Sequence, residues 1–239
     1  MSKLYFSYAA MNAGKSTVLL QASWNYQERG MRTLLFTSAL YAKADDGCIT
    51  SRIGISAPAK LYSETDDLHA WIVREHRKKK VDCVFVDEAQ FLTKSQVWQL
   101  ARIADRLDIP VLCYGLRTDF RGELFPGSAE LLAIADNLRE IRTICHCGRK
   151  ATMVVRRTAD GRAITSGDQI SIEKSMYLSL CRVHWEEETG RWAESAPAKT
   201  KASRTRKKPA TKKKPAAASK KAPLRIAAAR MKRPPRTRR

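Results

Sequence analysis

The chain has 239 residues, a hydrophobic content of 44% and a formal net charge of +21. This length favours one or two domains with a sizeable buried core. No apolar run approaches the roughly 18 residues that a membrane-spanning helix needs. The N-terminal sequence MSKLYFSYAA also has too short an apolar stretch for a signal peptide. These features predict a cytoplasmic protein with no membrane partner.

Alternating strand and helix patterns predict a parallel α/β layer in residues 1–144. The predicted strands are Lys3–Tyr8, Arg32–Thr37, Val81–Asp87, Ile109–Tyr114 and Arg139–Ile144. The predicted helices are Lys15–Glu28, Asp66–Lys79, one opened by a Thr93–Gln96 capping box, and a short one containing Leu131–Ala135. Residues 38–60 are polar and contain glycine, which predicts a long loop.

The first functional motif along the chain is a phosphate-binding loop. Ala9–Ser16 (AAMNAGKS) resembles the P-loop pattern G-x-x-x-x-G-K-[ST] and lies between a predicted strand and helix. Gly14 permits the turn that aims amides at phosphates, Lys15 can reach the β- and γ-phosphates, and Ser16 can ligate Mg²⁺. Ala9 replaces the usual first glycine, which matters only if that position needs a positive φ. We therefore predict that ATP with Mg²⁺ binds at Ala9, Ala10, Met11, Asn12, Ala13, Gly14, Lys15 and Ser16.

A second motif, VFVDEAQ at residues 84–90, is a buried strand pattern that ends in two carboxylates. Asp87 is where the Mg²⁺-binding aspartate of a P-loop protein belongs. Gln90 is predicted to belong to the same set of ATP- and Mg²⁺-binding residues. Glu88 is then free to act as a general base on the oxygen that attacks the γ-phosphoryl group. The DEAQ string also resembles motif II of nucleic-acid helicases. A nucleic-acid-stimulated P-loop ATPase is therefore the alternative, although little chain remains for a second motor domain.

Residues 145–192 lack helical periodicity and have cysteine-rich ends, which predicts a small second domain. Its ends carry the pairs Cys145/Cys147 and Cys181/His184. Three thiolates and one imidazole can close a tetrahedral Zn²⁺ site with no open position, which makes the site structural. Unrelated thiols are the alternative.

The positive charge is concentrated at the C-terminus. Residues 197–239 contain 18 of the 45 Lys and Arg and no acidic residue, which leaves 27 basic and 24 acidic residues before them. The segment has almost nothing to bury, so we predict a disordered basic tail over 193–239. Such a tail can contact nucleic acid without sequence preference, through release of counterions. A solvated extension that binds nothing is the alternative.

Several motifs together resemble bacterial thymidine kinases of the zinc-containing type over about residues 3–185. They are AMNAGKST, NYQERGMRT, VDEAQFL, PVLCYGLRTDFRGELF and the Cys/His cluster. The resemblance implies a P-loop (RecA-like) parallel sheet flanked by helices over 1–144 and a zinc-binding lasso domain over 145–192. It implies ATP-dependent phosphorylation of the 5′-hydroxyl of thymidine or deoxyuridine, and a homotetramer.

The same resemblance assigns the site residues. Glu88 becomes the base that accepts the 5′-hydroxyl proton, and Arg52 is a candidate for phosphate contact, with a solvated arginine as the alternative. Residues implied around the nucleoside are Met11, Phe91, Leu116, Phe120 and, in the loop over it, Tyr177. This chain departs from the family in two features. Ile172–Ser175 stands where relatives usually have a pair of glycines, and the chain carries a basic tail that the family core lacks.

Overall fold

The structure is a computed structural model, and it describes residues 1–40, 47–169 and 176–191. The chain divides into the units Met1–Pro197 and Ala198–Arg239, and every described residue belongs to the first. The predicted basic tail and the Ile172–Ser175 departure lie outside the described residues. Within the described part, no helix combines the length and the apolar character needed to cross a membrane.

Strands and helices alternate through the first part of the chain. The strands are β1 (Leu4–Ala9), β2 (Thr33–Ser38), β3 (Cys48–Thr50), β4 (Ser56–Pro58), β5 (Lys60–Tyr62), β6 (Cys83–Val86), β7 (Val111–Leu116), β8 (Asn137–Glu140), β9 (Thr143–Ile144), β10 (Lys150–Ala151), β11 (Met153–Arg157), β12 (Ala163–Ile164) and β13 (Met176–Leu180). The helices are α1 (Lys15–Gln27), α2 (Leu68–Lys78), α3 (Lys94–Leu107), α4 (Pro126–Ile134) and α5 (Arg182–Thr189), with a 3-10 turn at Ala89–Phe91.

The main sheet has six strands in the order β5-β2-β6-β7-β1-β8, and every adjacent pair is parallel. The predicted parallel α/β layer is therefore confirmed. Its carboxyl edge is where open α/β sheets bind ligands, and β1, β6 and β7 end there beside one another.

Helices cover both faces of this sheet because its central strands are apolar on both sides. On β6, Val84 and Val86 pack into the cluster that includes residues of α2, α3 and α4, whereas Cys83 and Phe85 pack towards α1. All four are fully buried. Burying a side chain of the size of Val or Phe stabilises the fold by about 1.5–3 kcal/mol.

The capping box predicted at the start of α3 is confirmed. The Thr93 hydroxyl accepts a hydrogen bond from the Gln96 amide at 3.2 Å, and the Gln96 side-chain oxygen accepts one from the Thr93 amide at 3.0 Å. The Gln96 side-chain amide also donates to the carbonyls of Ser63 and Asp66. One side chain thus joins the start of α3 to the segment before α2.

The prediction of one long loop over 38–60 is wrong for its described part. There β3 and β4 form an antiparallel ribbon, and β5 joins the edge of the main sheet. Ile49, only 2% exposed, packs into the cluster that contains Leu19 and Leu20 of α1. Ile49 is the buried apolar side chain that anchors this ribbon, with Ala57 partly buried in the same cluster, and so few apolar residues give no periodicity to detect.

The predicted strand Arg139–Ile144 is wrong at both ends. Pairing of β8 with β1 runs only to Glu140, opposite Tyr8. Beyond that point β1 ends at Ala9, so the strand loses its partner. Residues Thr143–Ile144 instead form β9, which pairs with β10 in a separate ribbon.

The segment after β9 is a small sheet, β12-β11-β13, with α5 packed on it. The helix was missed from the sequence because it has only two turns and a single buried residue, Trp185. The division into domains at residue 144 stays a prediction.

Candidate active site and metal cluster

The phosphate loop follows β1 directly. Ala9 is the last residue of β1 and does not have a positive φ, so its side chain is accommodated without strain. The turn is made instead by Asn12, with φ 61°, and Gly14, with φ 82°. Helix α1 then begins at Lys15, whose side chain is buried. A loop and helix start of this kind form a site for anions, because the free amides and the helix dipole both favour negative charge.

The two predicted Mg²⁺ ligands are brought together. The Ser16 hydroxyl donates a hydrogen bond of 2.8 Å to Asp87, whose other carboxylate oxygen accepts from the Glu88 amide at 3.0 Å. Burial, together with the neighbouring Glu88 charge, raises the pKa of Asp87 to about 6. A hydroxyl beside a carboxylate is an oxygen donor set that suits Mg²⁺.

Glu88 is held from two sides in a strained conformation. Its backbone lies in the left-handed region, with φ 52°, which costs a non-glycine residue about 1–2 kcal/mol. The Tyr62 hydroxyl donates to the Glu88 carbonyl at 2.9 Å, and the Gln90 side-chain amide donates to the Glu88 carboxylate at 2.5 Å. Gln90 in turn accepts a hydrogen bond from the Leu116 amide. Strain retained by surrounding structure is typical of functional sites.

A cavity of about 380 Å³ adjoins both the phosphate loop and Glu88. Its lining includes Met11 to Ser16, Glu88, Arg52 and all the predicted nucleoside residues, which are Met11, Phe91, Leu116, Phe120 and Tyr177. The other predicted ATP- and Mg²⁺-binding residues, Ala9, Ala10, Asp87 and Gln90, are buried and do not line it. The contacts of Gln90 favour a role in orienting Glu88 over direct contact with nucleotide.

Several cavity residues were not found from the sequence. Asp119 is 3% exposed and forms an ion pair with Arg121 at 2.9 Å, and it accepts a hydrogen bond from Gln169 at 3.2 Å. Phe125 and Val154 also line the cavity. Asp119 stands in the motif PVLCYGLRTDFRGELF and could have been found there. Val154, in β11, and Gln169, in the irregular segment after β12, carry no local signal, because only the fold brings them to the cavity.

The predicted metal cluster is assembled. The ligand atoms of Cys145, Cys147, Cys181 and His184 all lie within 4.8 Å of one another. The two sulfurs of Cys147 and Cys181 are 3.9 Å apart, and His184 Nδ1 lies 3.3 and 3.5 Å from the sulfurs of Cys145 and Cys181. A tetrahedral Zn²⁺ ion with its usual bond lengths requires about 3.8 Å between sulfurs and about 3.5 Å between sulfur and nitrogen. The four residues are therefore compatible with a structural zinc ion.

The surroundings of Cys147 favour its thiolate form. The Arg149 guanidinium donates to the Cys147 sulfur at 3.3 Å and lowers the pKa of that thiol. The His146 ring stacks on His184 with the ring centres 4.2 Å apart. Since a metal binds the thiolate form, this environment suits Cys147 as a ligand.

The comparisons with known proteins agree with one another. A family model described as thymidine kinase matches residues 2–185. A thymidine kinase of Mesorhizobium japonicum is 64% identical over 193 residues, which cover 81% of this chain and 95% of the relative. Those of Ruegeria pomeroyi and Shigella dysenteriae are 62% and 55% identical, covering 80% and 78% of this chain and 96% and 92% of the relatives. The basic segment 197–239 lies beyond the family match.

Proposed function

The chain belongs to the thymidine kinase family, and from this premise we propose that it transfers the γ-phosphoryl group of ATP to the 5′-hydroxyl of thymidine. The observation that carries the proposal is a single cavity that joins the phosphate loop, Glu88 and a set of apolar and aromatic side chains. An apolar pocket with a few convergent polar groups is the usual form of a small-molecule site. The alternative, a nucleic-acid-stimulated ATPase, is not favoured by the family match.

In the proposed reaction the phosphates of ATP lie on the amides of residues 11–16, with Lys15 beside the β- and γ-phosphates. Ser16 and Asp87 would hold Mg²⁺, which supplies neutralisation of the phosphate charge. Glu88 accepts the proton of the 5′-hydroxyl as that oxygen forms its bond to the γ-phosphorus. The bond from the γ-phosphorus to the bridging oxygen breaks, ADP leaves, and the proton passes from Glu88 to solvent.

We propose that Met11, Phe91, Leu116 and Phe120 surround the base and that Tyr177 covers the nucleoside. The Phe91 and Phe125 rings meet edge to face, with their centres 5.8 Å apart, which gives the base a rigid apolar wall. Arg52, which also lines the cavity, is proposed to contact phosphate. Closing such a pocket excludes water that would otherwise accept the phosphoryl group.

The proposal for Glu88 is tested by Glu88→Gln, which keeps the size and hydrogen-bonding capacity of the side chain and removes the base. We expect kcat to fall at least about 100-fold, as is typical on loss of a general base, while ADP affinity changes little. Thymidine-dependent release of ADP by zinc-replete protein is the assay, and Glu64→Gln, at an exposed glutamate, is the matched control. Turnover near the wild-type rate would reject Glu88 as the base. Wild-type protein without thymidine-dependent turnover would reject the function itself.

We propose that Cys145, Cys147, Cys181 and His184 hold zinc in a purely structural role, since the four leave no open position. We also propose a cytoplasmic homotetramer, as the family resemblance implies. Four chains of 27.0 kDa give about 108 kDa. Light scattering of the purified protein at half or a quarter of this mass would contradict the tetramer.

We propose, as a separate matter, that the segment 197–239 contacts nucleic acid. The supporting observation is its 18 basic and no acidic residues, in a region beyond the family match. Electrophoretic mobility shift with duplex DNA at about 0.1 M salt compares the full chain with a 1–196 truncation. We expect the full chain alone to bind, with an affinity that falls steeply with salt. Equal binding by the two proteins would reject this role.

A further inference from the structure

One short segment of the chain connects the metal cluster to both halves of the cavity. It runs from Ser179 at the end of β13 to Trp185 in the first turn of α5, and it carries two cluster residues, Cys181 and His184. Its other contacts include hydrogen bonds to backbone carbonyls of residues that line the cavity, and the proposed reaction assigns no role to them.

The first contact holds the phosphate loop. The Ser179 hydroxyl donates a hydrogen bond of 2.5 Å to the Met11 carbonyl, and Ser179 is only 8% exposed. Met11 directly precedes Asn12, which has the left-handed φ of 61°. A carbonyl beside a strained residue has no regular secondary-structure partner, so its orientation depends on a donor from elsewhere. Ser179 supplies that donor.

The second contact holds the wall of the nucleoside pocket. The Trp185 indole N–H lies 3.1 Å from the Phe120 carbonyl and 2.9 Å from the Val154 carbonyl. Phe120 and Val154 both line the cavity, and Trp185 is 4% exposed. The indole has one donor and no acceptor, so this single N–H links two pieces of wall, one in the loop after β7 and the other in β11.

We infer that Ser179 and Trp185 are positioning residues with separate tasks: Ser179 holds the phosphate loop for the nucleotide, and Trp185 holds Phe120 and Val154 for the nucleoside. The inference rests on the proposed function. Neither residue touches the reacting atoms. Each acts through a backbone carbonyl, and each lies within two residues of a cluster cysteine or histidine.

The separate tasks predict opposite selectivity for two substitutions. In zinc-replete full-length protein, Ser179→Ala should weaken binding of MgADP about 3- to 10-fold, because it releases the backbone of the phosphate loop at Met11. Thymidine binding should weaken by a smaller factor, because only the Met11 side chain is proposed to contact the base. Trp185→Phe should weaken thymidine binding by a similar factor and leave MgADP binding within twofold. These factors correspond to the loss of one or two buried hydrogen bonds. Titration calorimetry gives both dissociation constants, and metal analysis gives the zinc content.

Three further variants complete the test. Ser179→Thr keeps the hydroxyl and should restore MgADP affinity, which a role in packing alone does not predict. Trp98→Phe removes an indole hydrogen bond to Glu130 outside the cavity and should leave both affinities unchanged. Trp185→Tyr also lacks the indole N–H and takes the place of Trp185→Phe if that variant does not fold.

Two results would overturn the inference. One is equal weakening of both ligands in each variant, with or without loss of zinc, which would mean a general structural role. The other is unchanged affinity for both ligands. Wild-type protein that does not bind thymidine would instead reject the proposed function, so the two failures are distinguishable.

Discussion

Replacing Tyr62 with phenylalanine removes one hydroxyl and leaves the packing of a core residue intact. Tyr62 is 1% exposed, and its hydroxyl donates to the Glu88 carbonyl at 2.9 Å. Burial and the nearby Glu88 charge raise the pKa of this tyrosine well above its usual value, so the hydroxyl remains a donor throughout the working pH range. The substitution therefore removes the bond to the Glu88 carbonyl, together with the hydroxyl's hydrogen bond with Ser38, and leaves the packing unchanged.

The expected loss of kcat follows from the restraint that this hydrogen bond places on the Glu88 backbone. A buried carbonyl left without a donor costs about 1–3 kcal/mol. The left-handed backbone of Glu88 holds about 1–2 kcal/mol of strain, which the loss of this anchor allows to relax. A relaxed Glu88 no longer presents its carboxylate to the attacking oxygen. If about 1–2 kcal/mol of positioning is lost, kcat falls roughly 5- to 30-fold, since 1.36 kcal/mol is a factor of ten.

The assay is steady-state release of ADP with thymidine, accompanied by thermal unfolding of the same samples. Tyr114→Phe is the control, because Tyr114 is 3% exposed and packs on the α1 side of the sheet. It should alter the free energy of unfolding without lowering kcat. A folded Tyr62→Phe variant with kcat within twofold of wild type would refute the proposed anchoring of Glu88.

Three other changes have definite expectations. Gly127→Ala places a Cβ 2.6 and 2.7 Å from the carbonyls of Ala89 and Leu92. The overpacking should lower the free energy of unfolding by about 1–3 kcal/mol and outweigh the gain of up to about 1 kcal/mol from helix propensity, and a higher Tm would contradict this. Gln96→Ala removes the capping box of α3 and should lower stability by about 1–3 kcal/mol with KM for ATP unchanged; a wild-type Tm would contradict it. Cys147→Ala should abolish stoichiometric zinc and lower the Tm, and full zinc occupancy by metal analysis would exclude Cys147 as a ligand.

Local patterns were enough to predict much of the main sheet and the metal cluster. The continuous apolar run at β6 and the capping box of α3 depend on neighbours in sequence, and both predictions are confirmed. The four Cys/His positions were predicted from spacing and a family resemblance, and their side chains do converge.

Contacts between distant parts of the chain were not predictable in this way. Tyr62 reaches Glu88 across 26 residues and Ser179 reaches Met11 across 168. A buried tyrosine or serine must find a partner, but nothing in its own segment says which one. The short ribbon of β3 and β4 was not predicted for a related reason, because Ile49 is its one buried apolar side chain. The same holds for helix α5, in which Trp185 is the one buried residue.

The order of strands in the main sheet bears on how the enzyme is made. β1 leaves the ribosome before the other strands of this sheet, yet its two partners are β7 and β8, and the second pairing ends at Glu140. At translation rates of roughly 5–20 residues per second, about 7 to 26 s separate synthesis of Ala9 from that of Glu140. For roughly the first 5 to 21 s of this interval, until Leu116 completes β7, the nascent chain carries an apolar β1 without either neighbour. We therefore expect truncated chains that stop before β7 to require chaperones, and the phosphate loop to become competent only late in translation.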